Sequence, residues 1–251
     1  MIAALPMYDL PEIRAETDRL WVSIRDALRD AGFAAPDQLT RPIDDPWPHW
    51  RDPGLTVSQT CGLPFAAKLS GTVTLLGTPD YDLPHCGQGE YYSEIIVHAD
   101  NPAKTMAGLR GGRFAYNMRE SQSGWAAPNA LLGLARQFDA LVETGSHAAS
   151  AAAVAEGRAD VAAIDAVTWA LLQRHHPATK DIRVIGRTQA TPGLPYISRK
   201  MAPNEAVAMR DAVAAGIEAL DNEARAALLL KGFAPKTAED YAPLAKGWGA
   251  A

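Results

Sequence analysis

The chain has 251 residues, 47% of them hydrophobic and 21% charged, with a formal net charge of -5. That composition fits a soluble protein with a sizeable core, built as one large domain or as two lobes of about 100 residues or more. The acidic balance and the lack of a long basic run argue against nucleic-acid binding, and no apolar run reaches the roughly 20 residues needed for membrane insertion.

The chain starts as a short buried strand over residues 2–5, without the basic and apolar regions of a secretion signal. The expectation is a cytoplasmic protein or one whose leader has been removed. Asp9 and Pro11 read as cap and first turn of a helix. Ile13, Leu20, Trp21, Ile24 and Leu28 recur at helical spacing until Gly32 stops the pattern. Residues 36–53, rich in Pro and Trp, read as an ordered loop. A strand over 55–59 comes next, then a short helix from Cys61 to about Gly71 and a strand over 73–76. Residues 78–90 read as a surface loop. A longer strand over 91–98 opens a regular alternation. Strand 113–117 leads to a helix reaching Gln137, strand 140–144 to a helix ending at Gly157, and strand 161–164 to a helix up to His176. Strand 182–188 closes the series. Thr191 to Pro195 is a linker-like break, followed by a strand over 196–199 and helices over 204–220 and 222–230. Strands alternating with helices imply an α/β fold with mostly parallel sheets flanked by helices.

Ligands of open α/β sheets sit beyond the carboxyl ends of the strands. That rule collects Tyr8, Gln59, Thr60, Ser121, Gln122, Ser123, His147 and Asp165 as candidates. Ser121-Gln122-Ser123-Gly124-Trp125 is the richest of these turns. It offers hydroxyls and backbone N–H groups at a strand-to-helix junction, where the helix dipole favours an anion. Neutral hydroxyls and amides hold an oxyanion by hydrogen bonds alone when pre-organised. Each residue also has a plainer reading. Ser121, Ser123 and Asp165 are good helix caps, His147 suits an exposed first turn, and Tyr8, Trp125 and Trp169 suit a core.

Catalytic and metal signatures are missing. There is no GxSxG elbow, Walker A loop, GxGxxG fingerprint or HExxH helix, so no catalytic residue and no cofactor is expected. Cys61 and Cys86 form no CxxC, and no Cys/His cluster has zinc spacing. They read as two partly buried thiols, or as a disulfide only in an oxidising compartment.

The order of the motifs resembles one family. Asn117 through Ser121-Gln122-Ser123-Gly124, then Thr144-Gly145-Ser146-His147 with Ser150, then residues 154–165 ending Ala163-Ile164-Asp165 resemble the phosphate/phosphite/phosphonate substrate-binding proteins of ABC transporters. Tyr91-Tyr92-Ser93-Glu94-Ile95-Ile96-Val97 looks like that family's crossing strand. The resemblance implies a two-lobed periplasmic-binding-protein fold of type II, with lobe one formed by 1–98 and 190–251, lobe two by 99–189, and a ligand cleft between the lobes. It implies that Ser121, Gln122, Ser123, His147 and Asp165 hold a phosphonate-, phosphite- or phosphate-like anion, with Tyr8, Gln59, Thr60 and Tyr92 contributing. It also implies an ABC permease as partner and a periplasmic location. Gln122 departs from the family, which often has a threonine there. The alternative reading is a cytoplasmic enzyme or ligand sensor that reuses the same fold.

Overall fold

The computed structural model describes residues 1–249. In chain order its main elements are β1 (Ile2–Ala4), α1 (Arg14–Asp30), α2 (Pro46–Trp50), β2 (Leu55–Gln59), α3 (Gly62–Pro64), β3 (Thr74–Tyr81), β4 (Glu90–Tyr91), β5 (Ser93–His98), β6 (Arg113–Tyr116), α4 (Ala127–Leu132), α5 (Leu134–Gln137), β7 (Ala140–Glu143), α6 (His147–Ala155), β8 (Val161–Asp165), α7 (Ala166–His175), β9 (Ile182–Arg187), β10 (Thr191–Pro192), β11 (Tyr196–Ser198), α8 (Pro203–Ala219), α9 (Asn222–Ala227), β12 (Leu230–Ala234) and α10 (Ala238–Tyr241). Two compact units divide the chain. The first takes Met1–Pro84, Gln88–Glu90 and Pro192–Pro243. The second takes His85–Gly87, Tyr91–Thr191 and the described residues from 244 to 249.

In the first unit the strands run in the order β1-β2-β11-β3-β12. β1 and β2 are parallel, whereas β11 is antiparallel to β2 and β3, and β12 is antiparallel to β3. α1 buries Leu20, Trp21, Ile24 and Leu28, the stripe its spacing predicts. Gly216 of α8 lets that helix approach α1 closely, because a Cβ there would stand 2.6 Å from Ile24 Cα. Asp9 does not cap α1: the helical turn Pro11–Ile13 precedes it with no side-chain cap. Asp9 instead accepts hydrogen bonds from Arg41, at 2.9 Å to Nη2, a pairing between distant residues that no local pattern announces.

In the second unit the order is β7-β6-β8-β5-β9. β6 pairs in parallel with β7 and β8, and β5 pairs antiparallel with β8 and β9. The expectation of mostly parallel sheets is therefore corrected to mixed sheets. β5 brings the chain into the second unit and β11 returns it to the first. Neither ends a strand–helix–strand crossover, so neither is bound to parallel pairing. β5 also forms part of the second unit's sheet, and the main segment of that unit runs from Tyr91 to Thr191. Alternation along β5 sends Ile95 and Val97 into a core with Phe114, Tyr116 and Trp125, and Ile96 into another with Ala151, Val154 and Trp169.

Several boundaries move. β3 runs to Tyr81, into residues expected to form a loop, because β12 pairs with it from Thr78 to Tyr81. β12 begins where the end of a helix is expected: Leu229 adopts φ 57° and stops α9, and pairing with the distant β3 makes Leu230–Ala234 a strand. The helix expected to reach Gln137 breaks at Gly133, which adopts φ 64°. The loop over 36–53 contains α2, capped by Asp45, whose side chain accepts from the Trp47 N–H at 3.0 Å. Cys61 and Cys86 are both reduced and half-buried.

Candidate functional site

The central turn comes after β6. Ser121 is extended and caps the π-helical turn Gln122–Ala126, which runs into α4. Its hydroxyl accepts from the Gly124 N–H at 3.0 Å. Its carbonyl accepts from the N–H groups of Trp125 and Ala126 at 3.2 and 3.0 Å. The plainer reading of Ser121 is therefore correct, and the cap is also what fixes the turn. Ser121, Gln122 and Ser123 are all buried. Ser123 Oγ lies 3.4 Å from Ser121 Oγ and 2.8 Å from His147 Nε2. The two hydroxyls thus stand side by side at the opening of the turn, where the first N–H groups of a helix lack intrahelical acceptors.

His147 is the first residue of α6, placed there by Ser146, whose hydroxyl caps the helix at Ala149. Burial of its ring pushes the pKa down to about 4, with the Ala163 backbone partly opposing. His147 is therefore neutral near pH 7. Its Nδ1 is buried and makes no hydrogen bond of ordinary geometry, and neither does Oδ1 of Asn117. Both groups close on Gly124. A Cβ at that glycine would stand 2.0 Å from Asn117 Oδ1 and 3.3 Å from His147 Cε1.

The crossing strand reaches the same turn. Ser93 Oγ donates to the Ser123 carbonyl at 2.8 Å. Ser93 is also the register partner of Asp165 at the end of β8. Asp165 caps α7, its Oδ1 accepting from the N–H groups of Val167 and Thr168 at 2.8 and 3.0 Å. The neighbouring Tyr92 accepts at its carbonyl from the Ala166 N–H at 3.0 Å. Burial and the nearby Glu94 raise the Tyr92 phenol, and the Arg187 guanidinium stands 5.4 Å from its ring centre. Arg119 stacks over Trp125, 3.8 Å from the ring centre, and is the cation closest in sequence to the turn.

Tyr8, Gln59 and Thr60 belong to the first unit. Tyr8 packs edge-on against Tyr81 at 5.0 Å. Gln59 donates from Nε2 to the Tyr81 hydroxyl and to the Leu194 carbonyl, both at 3.4 Å. Tyr81 thus gathers two of the three. Thr60 is fully buried, and its hydroxyl donates to the Cys61 carbonyl at 3.4 Å.

Within the second unit, then, Ser121, Ser123 and His147 meet directly, and Asp165 and Tyr92 join through Ser93. Gln122 lies in the turn with its side chain buried. Sequence reasoning misses Ser93, Asn117 and Tyr81 as site residues. Period-two alternation over 91–98 is enough to place Ser93 on the face of Ile95 and Val97; the partners of the other two depend on tertiary packing. The described residues hold no cluster of three or more His, Cys, Asp or Glu side chains suited to a metal ion.

The family model of ABC-transporter phosphonate periplasmic substrate-binding proteins matches residues 63–241. Solved structures give the same fold. A binding-protein component of an ABC phosphonate transporter from Pseudomonas aeruginosa aligns at TM-score 0.75 and 16% identity, over 98% of this chain and 84% of the other. PhnD1 of Prochlorococcus marinus, solved in complex with methylphosphonate, aligns at TM-score 0.75 and 15% identity, over 98% and 96%. XAC2383 of Xanthomonas citri, solved with bound ATP, aligns at TM-score 0.71 and 19% identity, over 98% and 96%. A search of curated proteins finds no significant match.

Proposed function

The chain belongs to the phosphonate-binding family of periplasmic ABC-transporter substrate-binding proteins, and we propose that it holds its oxyanion on the turn formed by Ser121, Gln122 and Ser123. It is a binding protein and not an enzyme, with the two-lobed α/β fold of its relatives. The observation that carries the proposal is the 2.8 Å contact between Ser123 Oγ and His147 Nε2 beside the Ser121 cap. With His147 neutral, the turn offers hydroxyls, an imidazole and backbone N–H groups but no full positive charge. Such a set suits a compact oxyanion held by directed hydrogen bonds.

Asp165 narrows the ligand class. A fully ionised phosphonate meets repulsion from that carboxylate, whereas a protonated oxygen or an ammonium group on the same ligand meets attraction. The preferred ligand is therefore a zwitterionic aminoalkylphosphonate or a monoanion, with phosphite and phosphate as weaker alternatives. Tyr92 on the crossing strand, and Tyr8, Gln59 and Thr60 in the first unit, are the further ligand-contact candidates. Family membership supports a periplasmic location and delivery to an ABC permease. No helix among the described residues is long and apolar enough to cross a membrane.

Calorimetry with methylphosphonate, 2-aminoethylphosphonate, phosphite, phosphate and sulfate tests the proposal. Binding of a phosphonate, weakened by Ser123→Ala, supports it. Failure of all five to bind overturns it.

A further inference from the structure

The first unit carries a groove at the end of its sheet where β2 begins, and one of its lining residues, Trp50, reaches along the strand to donate from Nε1 to the Gln59 carbonyl at 3.2 Å. Its volume is about 520 Å³. Arg51, Lys68, Arg199 and Lys200 line it, with Asp52 as its acid. The chain as a whole has 24 Lys and Arg against 29 Asp and Glu, so the groove reverses the balance of the protein. Its cations come from three separate stretches of chain. Arg51 follows α2, Lys68 lies in the last turn of the π-helical segment Phe65–Leu69, and Arg199 and Lys200 follow β11. A cation at a helix C-terminus complements the dipole, which accounts for Arg51 and Lys68 singly. It does not account for Lys200, nor for the convergence.

Arg51 and Lys200 are exposed cations of the groove, whereas Arg199 is taken up in an ion pair. Arg199 is anchored by Glu205 at 2.6 Å. Asp52 Oδ1 accepts from the Gly54 N–H at 2.6 Å. The Arg51 guanidinium rests over the Trp47 ring, 4.9 Å from its centre, a stacking that leaves the in-plane N–H donors available. Pro53 supplies an exposed apolar wall, backed by the buried Trp50 and Val73.

The groove lies at the opposite end of the first sheet from the residues of the expected ligand site. Arg51 and Asp52 precede β2, and Gln59 ends it. A strand of that length spans about 16 Å. Val73 precedes β3, and β11 runs antiparallel to both β2 and β3, so Arg199 and Lys200 emerge at the same end.

We propose that this groove is a second anion site, which takes an organic diphosphate whose charged groups bridge Arg51 and Lys200 and whose body rests against Pro53. Its volume falls in the ordinary range for small-ligand sites. Arginine and lysine together suit adjacent phosphoryl groups, the first by paired N–H donors and the second as a point charge.

The test is calorimetric titration of the full chain with pyrophosphate, in the wild type, in Arg51→Gln/Lys200→Gln and in Ser123→Ala. Both groove side chains are exposed, so the double variant retains its fold, as the thermal midpoint verifies. The expected result is binding in the wild type, weakened at least tenfold in the double variant and unchanged in Ser123→Ala. No binding in the wild type, no effect of the double variant, or loss in Ser123→Ala overturns the proposal.

Discussion

Ser123 Oγ and His147 Nε2, 24 positions apart in the chain, lie 2.8 Å apart. Each sits in the first turn of a helical segment that follows a strand of the same sheet, and β6 and β7 are register partners in parallel. The contact therefore depends on both helix starts being correctly capped, by Ser121 and by Ser146. Replacing Ser123 with Ala removes a hydroxyl from the turn and leaves the imidazole without this partner. The expected cost is about 1–3 kcal/mol, a roughly fivefold to 150-fold rise in Kd for methylphosphonate. Calorimetry measures it directly.

Gly124 makes a second prediction. Asn117 Oδ1 occupies the space that a Cβ would need, at 2.0 Å, and that oxygen belongs to a half-buried side chain at the end of β6. Gly124→Ala forces Asn117 or the turn to move. The expected outcome is a loss of roughly 1–3 kcal/mol in stability, with weakened phosphonate binding, because the displaced turn carries both hydroxyls. Asn117→Ala in the same background creates the missing room, so the double variant regains stability relative to Gly124→Ala.

Much of this site is legible in the sequence, for a physical reason. Helix starts after strands are local events. Ser121 and Asp165 are recognisable as caps from their neighbours alone, whereas Ser123, which reads the same way, lies inside the turn; parallel strands carry such starts to one edge. The same locality fails for β12. Leu230 to Ala234 has nothing in its own pattern to outweigh the preceding helix, and becomes a strand only because β3 offers an edge. It fails also for Asp9, whose partner Arg41 lies 32 residues away. Ser93 falls between these cases. Its face follows from alternation along β5, but its acceptor, the Ser123 carbonyl, follows from the sheet order.

Ser93→Ala tests that link. The hydroxyl holds the Ser123 carbonyl at 2.8 Å, while the Ser93 backbone is tied to Thr188 on both sides, at 2.9 and 3.0 Å. The strand thus stays in place when the hydroxyl is removed, and the turn loses one restraint. The expected effect is a threefold to tenfold loss of phosphonate affinity, on the order of 1 kcal/mol. Thr188→Val, which removes only the acceptor of the Ser93 N–H, affects stability more than affinity. Thermal melts beside calorimetry separate the two.

Asp165 serves two roles that substitution separates. As the cap of α7 it satisfies two backbone N–H groups, and Asp165→Asn retains part of that function because asparagine also caps well. The stability loss is then about 1 kcal/mol or less. The charge, however, is gone. Affinity for 2-aminoethylphosphonate is expected to fall by tenfold or more, while affinity for methylphosphonate holds or rises. A parallel loss for both ligands removes the assignment of Asp165 to the ammonium group.

His147 sets a pH dependence whose sign is fixed by its depressed pKa. In the folded chain it protonates at about 4, against 6.5 for a free histidine. As pH falls below 6.5 the unfolded chain takes up the proton first, so stability declines between about 6.5 and 4 and levels off below. The contribution is on the order of 1–3 kcal/mol. His49, depressed by burial, adds a slope of the same sign, and Glu94, whose carboxyl burial raises, adds one of opposite sign. His147→Gln leaves both of those unchanged. The difference between the wild-type and His147→Gln stability curves therefore isolates His147, and is expected to shrink as the pH falls from 6.5 to 4. Urea denaturation at half-unit pH steps measures it, and a difference independent of pH means that the imidazole is not buried in the neutral form.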